Sequence, residues 1–186
     1  MTNTFVPLTP DRWEDLTRLF GERGAGGCWC MYWRTSRAQF SRQGNAGNRE
    51  ALRSLVDSEQ VTGLIAYVDD DPAGWISIAP RESYASLERS RRLKRIDDKP
   101  VWSIVCFFIH RSHRGQGLML PLIEAGVAFA AEQGAKLVEA YPTDPEIDPR
   151  GPAEAYMGVL PSFLQAGFRE VARPSSGRVI VRRSLA

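Results

Sequence analysis

The sequence predicts a mixed α/β fold, and three observations carry that expectation. Strand-like and helix-like segments alternate along the chain. The run VWSIVCFFI (101–109) is apolar almost throughout, as a strand covered on both faces must be. Pairs of apolar runs joined by short polar turns flank it on either side, and these need antiparallel neighbours in the same sheet. With 186 residues, 43% of them hydrophobic, the chain can bury one core, so a single domain spanning 1–186 is expected.

Taken in order, TFVPLT (4–9) reads as a short first strand. Thr9, Pro10 and Asp11 open a helix, because proline is tolerated in a first turn, and Gly21 and Gly24 end it after Phe20. A second helix fits residues 46–58. TGLIAYV (62–68) and AGWISIAP (73–80) form a hairpin around the turn chemistry of DDDP. Residues 81–100 are polar and read as a long excursion or an irregular helix. After the strand at 101–109, a helix fits 118–133 and stops at Gly134. KLVEAYP (136–142) is another buried strand, 160–166 a short helix, and FREVAR (168–173) with RVIVRRSL (178–185) a closing hairpin around SSG.

The formal net charge of +2 provides no global basic field, so neither nucleic acid nor an anionic membrane is an expected partner. The opening MTNTFVPLTPDRW lacks the basic and apolar regions of a signal peptide, and no apolar run approaches the roughly 20 residues that span a bilayer. A cytoplasmic location is expected. Cys28, Cys30 and Cys106 are an odd set and read as reduced thiols. Zinc needs about four ligands, and neither a second cysteine pair nor a suitably spaced histidine pair accompanies Cys28 and Cys30, so no metal is expected.

The join from strand to helix at CFFIHRSHRGQGLMLPLIEAG carries the chemistry. Glycines at 115 and 117 let backbone amides approach a ligand closely, and the helix that follows adds the positive end of its dipole, which together suit a phosphate. Pro121 has no N–H to offer, so the amides before it must do the holding. No Gly-Lys-Ser/Thr follows, as a Walker A loop requires, and the spacing is not GxGxxG. The same glycines are also what a tight turn alone would need.

VWSIVCFFI followed by Arg114-Gly115-Gln116-Gly117-Leu118 resembles the first five positions of the Q/R-x-x-G-x-G/A signature of the GNAT acyltransferase superfamily, and FLQAGF (163–168) resembles its Tyr-x-x-x-Gly-Phe segment. The resemblance implies a GNAT-like mixed sheet with helices on both faces and two central parallel strands, 101–109 and 136–142, that splay into a V. It further implies acetyl-CoA as cosubstrate, with pyrophosphate on the amides of Arg114, Gly115, Gln116, Gly117, Leu118 and Met119, and the pantetheine arm along the backbone of Phe107, Phe108 and Ile109. The expected reaction is direct attack of a primary amine, on a small molecule or a peptide, in a ternary complex. A non-catalytic acyl-CoA-binding module is the alternative, and a homodimer is compatible with either.

Two positions depart from the pattern. Met119 stands at the sixth signature position, where main-chain contact tolerates a larger side chain. Phe163 stands where many relatives carry the tyrosine that protonates the leaving thiolate, so Tyr156 becomes the candidate acid. Ser103 falls near the glutamate of some relatives. Glu139, inside an apolar strand, is then the first candidate base and Glu82 the second, with an ion-paired Glu139 as the competing reading. His110 and His113 flank the turn as turn residues or phosphate neighbours. Arg89, Arg91, Arg92, Lys94 and Arg95 read as a solvated face from which one or two side chains could meet the coenzyme's phosphates or an acidic acceptor. Trp29, Tyr32 and Trp33 in GGCWCMYWR (26–34) are either a packing plug or an aromatic wall for the acceptor, with Arg34 as an anchor for an acidic group on it.

Overall fold

A computed structural model describes residues 2–147, 155–175 and 177–185. Its strands are β1 (Asn3–Pro7), β2 (Gly63–Val68), β3 (Asp71–Pro80), β4 (Trp102–Ile109), β5 (Leu137–Ala140), β6 (Arg169–Ser175) and β7 (Arg178–Ser184). They form one sheet in the order β1-β2-β3-β4-β5-β7-β6, antiparallel except for the β4–β5 pair. The closing hairpin forms as the sequence suggests, although Ser176 of its SSG turn lies outside the described residues.

Helices α1 (Trp13–Phe20), α2 (Arg37–Asp57), α3 (Ala85–Glu88), α4 (Met119–Glu132) and α5 (Leu160–Gln165) cover the sheet. On one face α4 buries Leu122 and Ile123 against Ile76, Ile78, Ile104 and Val138. On the other, Trp13, Leu16 and Leu52 of α1 and α2 close over Ile65 and Trp75. A third cluster extends that second face with Trp33, Tyr84, Leu87, Val105 and Tyr141. No helix among the described residues is long and apolar enough to cross a membrane.

Several expected boundaries move, β1 ending at Pro7 and α1 starting at Trp13 among them, and two have a visible cause. Helix α2 begins nine residues before 46, because Ser36 caps it by accepting from Gln39 N at 3.2 Å, and the chain then kinks at Gly44 (φ 59°, ψ −165°) and continues. A left-handed φ of this kind suits glycine, which is why that residue permits the break. Strand β5 ends at Ala140, two residues short of the expected strand, because β4 leaves its side there.

Arg81, fully buried just after β3, ties four segments together. It donates from Nη1 to Glu139 Oε1 of β5 at 2.9 Å and to the Tyr141 hydroxyl at 2.7 Å, and from Nη2 to the Leu87 and Leu93 carbonyls. Glu88 accepts from its Nε. Glu139 Oε2 accepts from Arg182 Nε of β7 at 2.7 Å, and Arg182 also pairs with Asp97. Breaking a buried pair from one side strands the other charge, so Arg81→Leu should cost about 3–5 kcal/mol. Urea unfolding measures this; Glu139→Gln in the same background should recover part, and a loss below about 1 kcal/mol would show that the pair does not hold this end of the sheet together.

Candidate active site

Strands β4 and β5 pair at only three positions, Trp102–Val138, Ser103–Glu139 and Ile104–Ala140. Val105 is then an extra residue in β4, since Ser77 pairs with Cys106 and Ile78 with Ile104. A bulge of this type bends and twists its strand. The continuation of β5 turns to other partners, with Thr143 N donating to the Gly158 carbonyl and Leu160 N to the Thr143 carbonyl. The two limbs therefore part just beyond Ile104 and leave a V-shaped gap.

Backbone parity decides which amides face that gap. His110 N donates to the Ala73 carbonyl, so His110 and Phe108 point their main chain toward β3, while Phe107 and Ile109 point theirs into the opening. Consistently, the Ile109 carbonyl accepts from Arg114 Nε at 2.9 Å instead of from β3. A cleft of about 430 Å³ follows this edge, lined by Phe107, Phe108, Ile109, Arg114, Met119, Ala155 and Tyr156.

The turn beyond β4 is braced from within. His110 Nδ1 and His113 Nδ1 both contact Ser112 Oγ, at 2.7 and 2.9 Å, and Gln116 Nε2 donates to the Ser112 carbonyl at 2.8 Å. Both histidines are thus turn residues. Gly115 and Gly117 take φ of +73° and +77°, and a Cβ on either would meet nothing within 4 Å. The amides of Gly117, Leu118 and Met119 find no carbonyl partner among the described residues, as expected at the start of α4. An open turn that presents unpaired N–H groups fits a phosphate.

Tyr156 reaches the same cleft from the segment that precedes α5. Burial pushes its hydroxyl up to about 12, against the lowering influence of Arg178 and of the nearby Trp33 indole, so the proton stays on. Phe163, by contrast, is fully buried against Phe107 and Phe168.

The model of the acetyltransferase (GNAT) family matches residues 14–149. The chain belongs to the GNAT acetyltransferase family. It is accordingly an acyltransferase, and acetyl transfer is the general chemistry of the family. Solved structures share the fold at low identity. The PaiA N-acetyltransferase of Thermoplasma acidophilum, in complex with coenzyme A, is 12% identical over 100% of both chains with a TM-score of 0.55. An acetyltransferase from Thermus thermophilus is 20% identical over 100% of this chain and 98% of its own, with a TM-score of 0.51. The aminoglycoside acetyltransferase AAC(6')-Ib, in complex with coenzyme A, is 18% identical over 98% of this chain and 95% of its own, with a TM-score of 0.56. No curated protein matches the chain.

Within this GNAT sheet the candidate bases lie away from the cleft. Glu139 is 1% exposed, and both of its oxygens are taken, by Arg81 and the Tyr141 hydroxyl on one side and Arg182 on the other. The ion-paired reading of Glu139 replaces that of a free base. Glu82 is exposed at the far end of β3 and accepts from Arg95 at 2.6 Å; burial is the largest single influence and opposes ionisation, but its own backbone N–H and Arg95 together outweigh it and hold it below the ordinary carboxylate range, which makes it a weak base.

The aromatic segment divides between core and cleft. Trp29 is 2% exposed, stacks on Trp13 and donates from Nε1 to Asn45 Oδ1 at 2.6 Å, so it is a packing plug and not an acceptor wall. Arg34 corrects the expected anchor as well: it is buried, lies 4.6 Å over the Tyr84 ring and donates to the Val61 carbonyl, with no open face for a ligand. Tyr32 and Trp33 are the two that approach Tyr156. The thiols of Cys28 and Cys30 are held protonated: burial pushes Cys28 to about 11, and Cys30 is raised by its contact with Cys106 and by burial, which is the opposite of what a nucleophile needs. Trp29→Ala should cost about 3–5 kcal/mol in chemical denaturation, the usual loss for a core tryptophan, and a change below about 1 kcal/mol would return Trp29 to the surface.

Proposed function

We propose that the protein transfers an acetyl group from acetyl-CoA to a primary amine by direct attack within a ternary complex. The observation that carries this reading is a cleft that brings an unpaired strand edge and a protonated tyrosine together, with the open glycine turn between its lining residues Arg114 and Met119. In this reading the amides of Gly117, Leu118 and Met119 hold the coenzyme's pyrophosphate, with Arg114, Gly115 and Gln116 shaping the turn around it. Phe107 and Ile109 offer main-chain N–H and C=O to the pantetheine arm, and their N–H groups polarise the thioester carbonyl where charge develops. Phe108 faces β3 with its backbone and contributes by position alone.

Tyr156 is the proposed acid. Its hydroxyl keeps its proton at working pH; burial makes it a weaker acid than a thiol that titrates near roughly 8.5, so it hydrogen-bonds the departing thiolate and solvent makes good the proton it passes on. Neither Glu139 nor Glu82 is placed to remove the amine's proton, so that proton passes to solvent at the mouth of the cleft.

Two experiments test the reading. Gly117→Trp fills the cradle at a strain of about 1–2 kcal/mol and should weaken coenzyme A at least about tenfold in calorimetry, with the melting transition still cooperative. Unchanged affinity would remove the cradle. Tyr156→Phe should lower kcat by about 10²-fold with coenzyme affinity intact. Because the proton is lost only near pH 12, the parent should show no alkaline decline from this group at lower pH. Full activity in the variant would exclude Tyr156 as the acid.

A further inference from the structure

A second cavity, of about 460 Å³, lies beyond the wall formed by Tyr32 and Trp33, and Arg37, Arg89, Arg91 and Arg92 complete its charged lining. Serines fill the gaps, and among the described residues no carboxylate lines it. The acids of the same excursion are engaged elsewhere: Glu82 with Arg95, Glu88 with Arg81 and Arg95, and Asp97 with Arg182. Arg37, Arg89, Arg91 and Arg92 form no ion pair among the described residues, and Arg37 instead lies 4.9 Å over the Tyr32 ring. The Trp33 ring lines this cavity, while its indole N–H lies by the Tyr156 hydroxyl and so joins the cavity to the cleft. Four guanidinium groups around one hollow repel one another, and an entering anion relieves that repulsion while accepting their planar donors.

Position separates this cavity from the phosphate cradle. The cradle follows the C-terminal end of β4, whereas Arg89, Arg91 and Arg92 belong to the excursion before its N-terminal end and Arg37 opens α2; the eight residues of β4 span about 26 Å. The arginines are thus at the wrong end for the coenzyme's pyrophosphate. They adjoin the other side of the cleft, where Tyr32 and Trp33 pack beside Tyr156.

We infer that the acceptor is a primary amine that also carries a carboxylate or a phosphate, seated among Arg37, Arg89, Arg91 and Arg92 while its amine lies beside Tyr156. This rests on the acetyl-transfer reading above. Polycationic acceptors meet four like charges at the same place and are disfavoured, in contrast to what AAC(6')-Ib, by its description, acetylates.

The test compares amines that differ in one charged group: β-alanine with β-alaninamide, and O-phosphoethanolamine with ethanolamine, with the polycation kanamycin alongside. Thiol release from acetyl-CoA should favour the anionic member of at least one pair by about tenfold or more in kcat/KM, and the favoured pair tells carboxylate from phosphate. Arg91→Glu/Arg92→Glu, both exposed, should raise KM for that member about tenfold and leave its neutral partner unchanged. Equal rates within both pairs, preference for kanamycin, or a preference that survives charge reversal would overturn the inference while acetyl transfer stands. Calorimetry of coenzyme A-saturated protein with the same pairs covers the case of no turnover. Tighter binding of an anionic member then keeps the pocket and sinks the enzymic reading, and no difference within either pair sinks the pocket.

Discussion

The buried contact between Arg81 and Glu139 is the constraint on which the rest of this structure depends. It joins the end of β3 to β5 at the one place where β4 and β5 are still paired, and through Arg182 it extends to β7. A parallel pair of three residues is too short to stand by its own ladder. Held at this end by charge and hydrogen bonds, the strands are free to part at the other. The ligand cleft is then an opening with a fixed root, and the arginine-lined excursion, tied to the same guanidinium through Leu87, Glu88 and Leu93, is placed beside it.

The same economy applies to the amides. In an ordinary sheet the N–H groups of Phe107 and Ile109 would be used by a neighbouring strand. The bulge at Val105 and the departure of β5 release them in a half-buried setting, where unpaired donors are costly and an acceptor is favoured. In the proposed reading, binding rests on main chain left unpaired, which lets Met119 stand where small residues are usual.

Much of the scaffold was legible in sequence because its signals are local. The apolar run at 101–109, the glycines at 115 and 117 and the DDDP turn each announce their geometry within a few residues. What sequence reasoning missed depends on distant partners. Arg81 reads as one more surface arginine until Glu139, 58 positions later, is found against it. Arg34 resembles an anchor until Tyr84 and the Val61 carbonyl enclose it. Helix α2 was half visible because glycines at 44 and 47 mask its first turns. The cavity between Trp33 and Arg92 joins segments some 60 positions apart, and the one available signal was that the arginines between 89 and 92 outnumber nearby acids.

Trp29 and Cys30 adopt φ of 45° and 49°, consecutive left-handed conformations that non-glycine residues avoid at a cost of roughly 1–2 kcal/mol each. Local backbone bonds such as Met31 N to the Cys28 carbonyl offset part of that cost, and the stacking on Trp13, the edge of Phe20 and the Asn45 acceptor add to them, all three from α1 and α2. The turn that carries Tyr32 and Trp33 therefore takes its shape from the docking of both helices, and a substitution that loosens either helix is expected to reach the cleft wall through it.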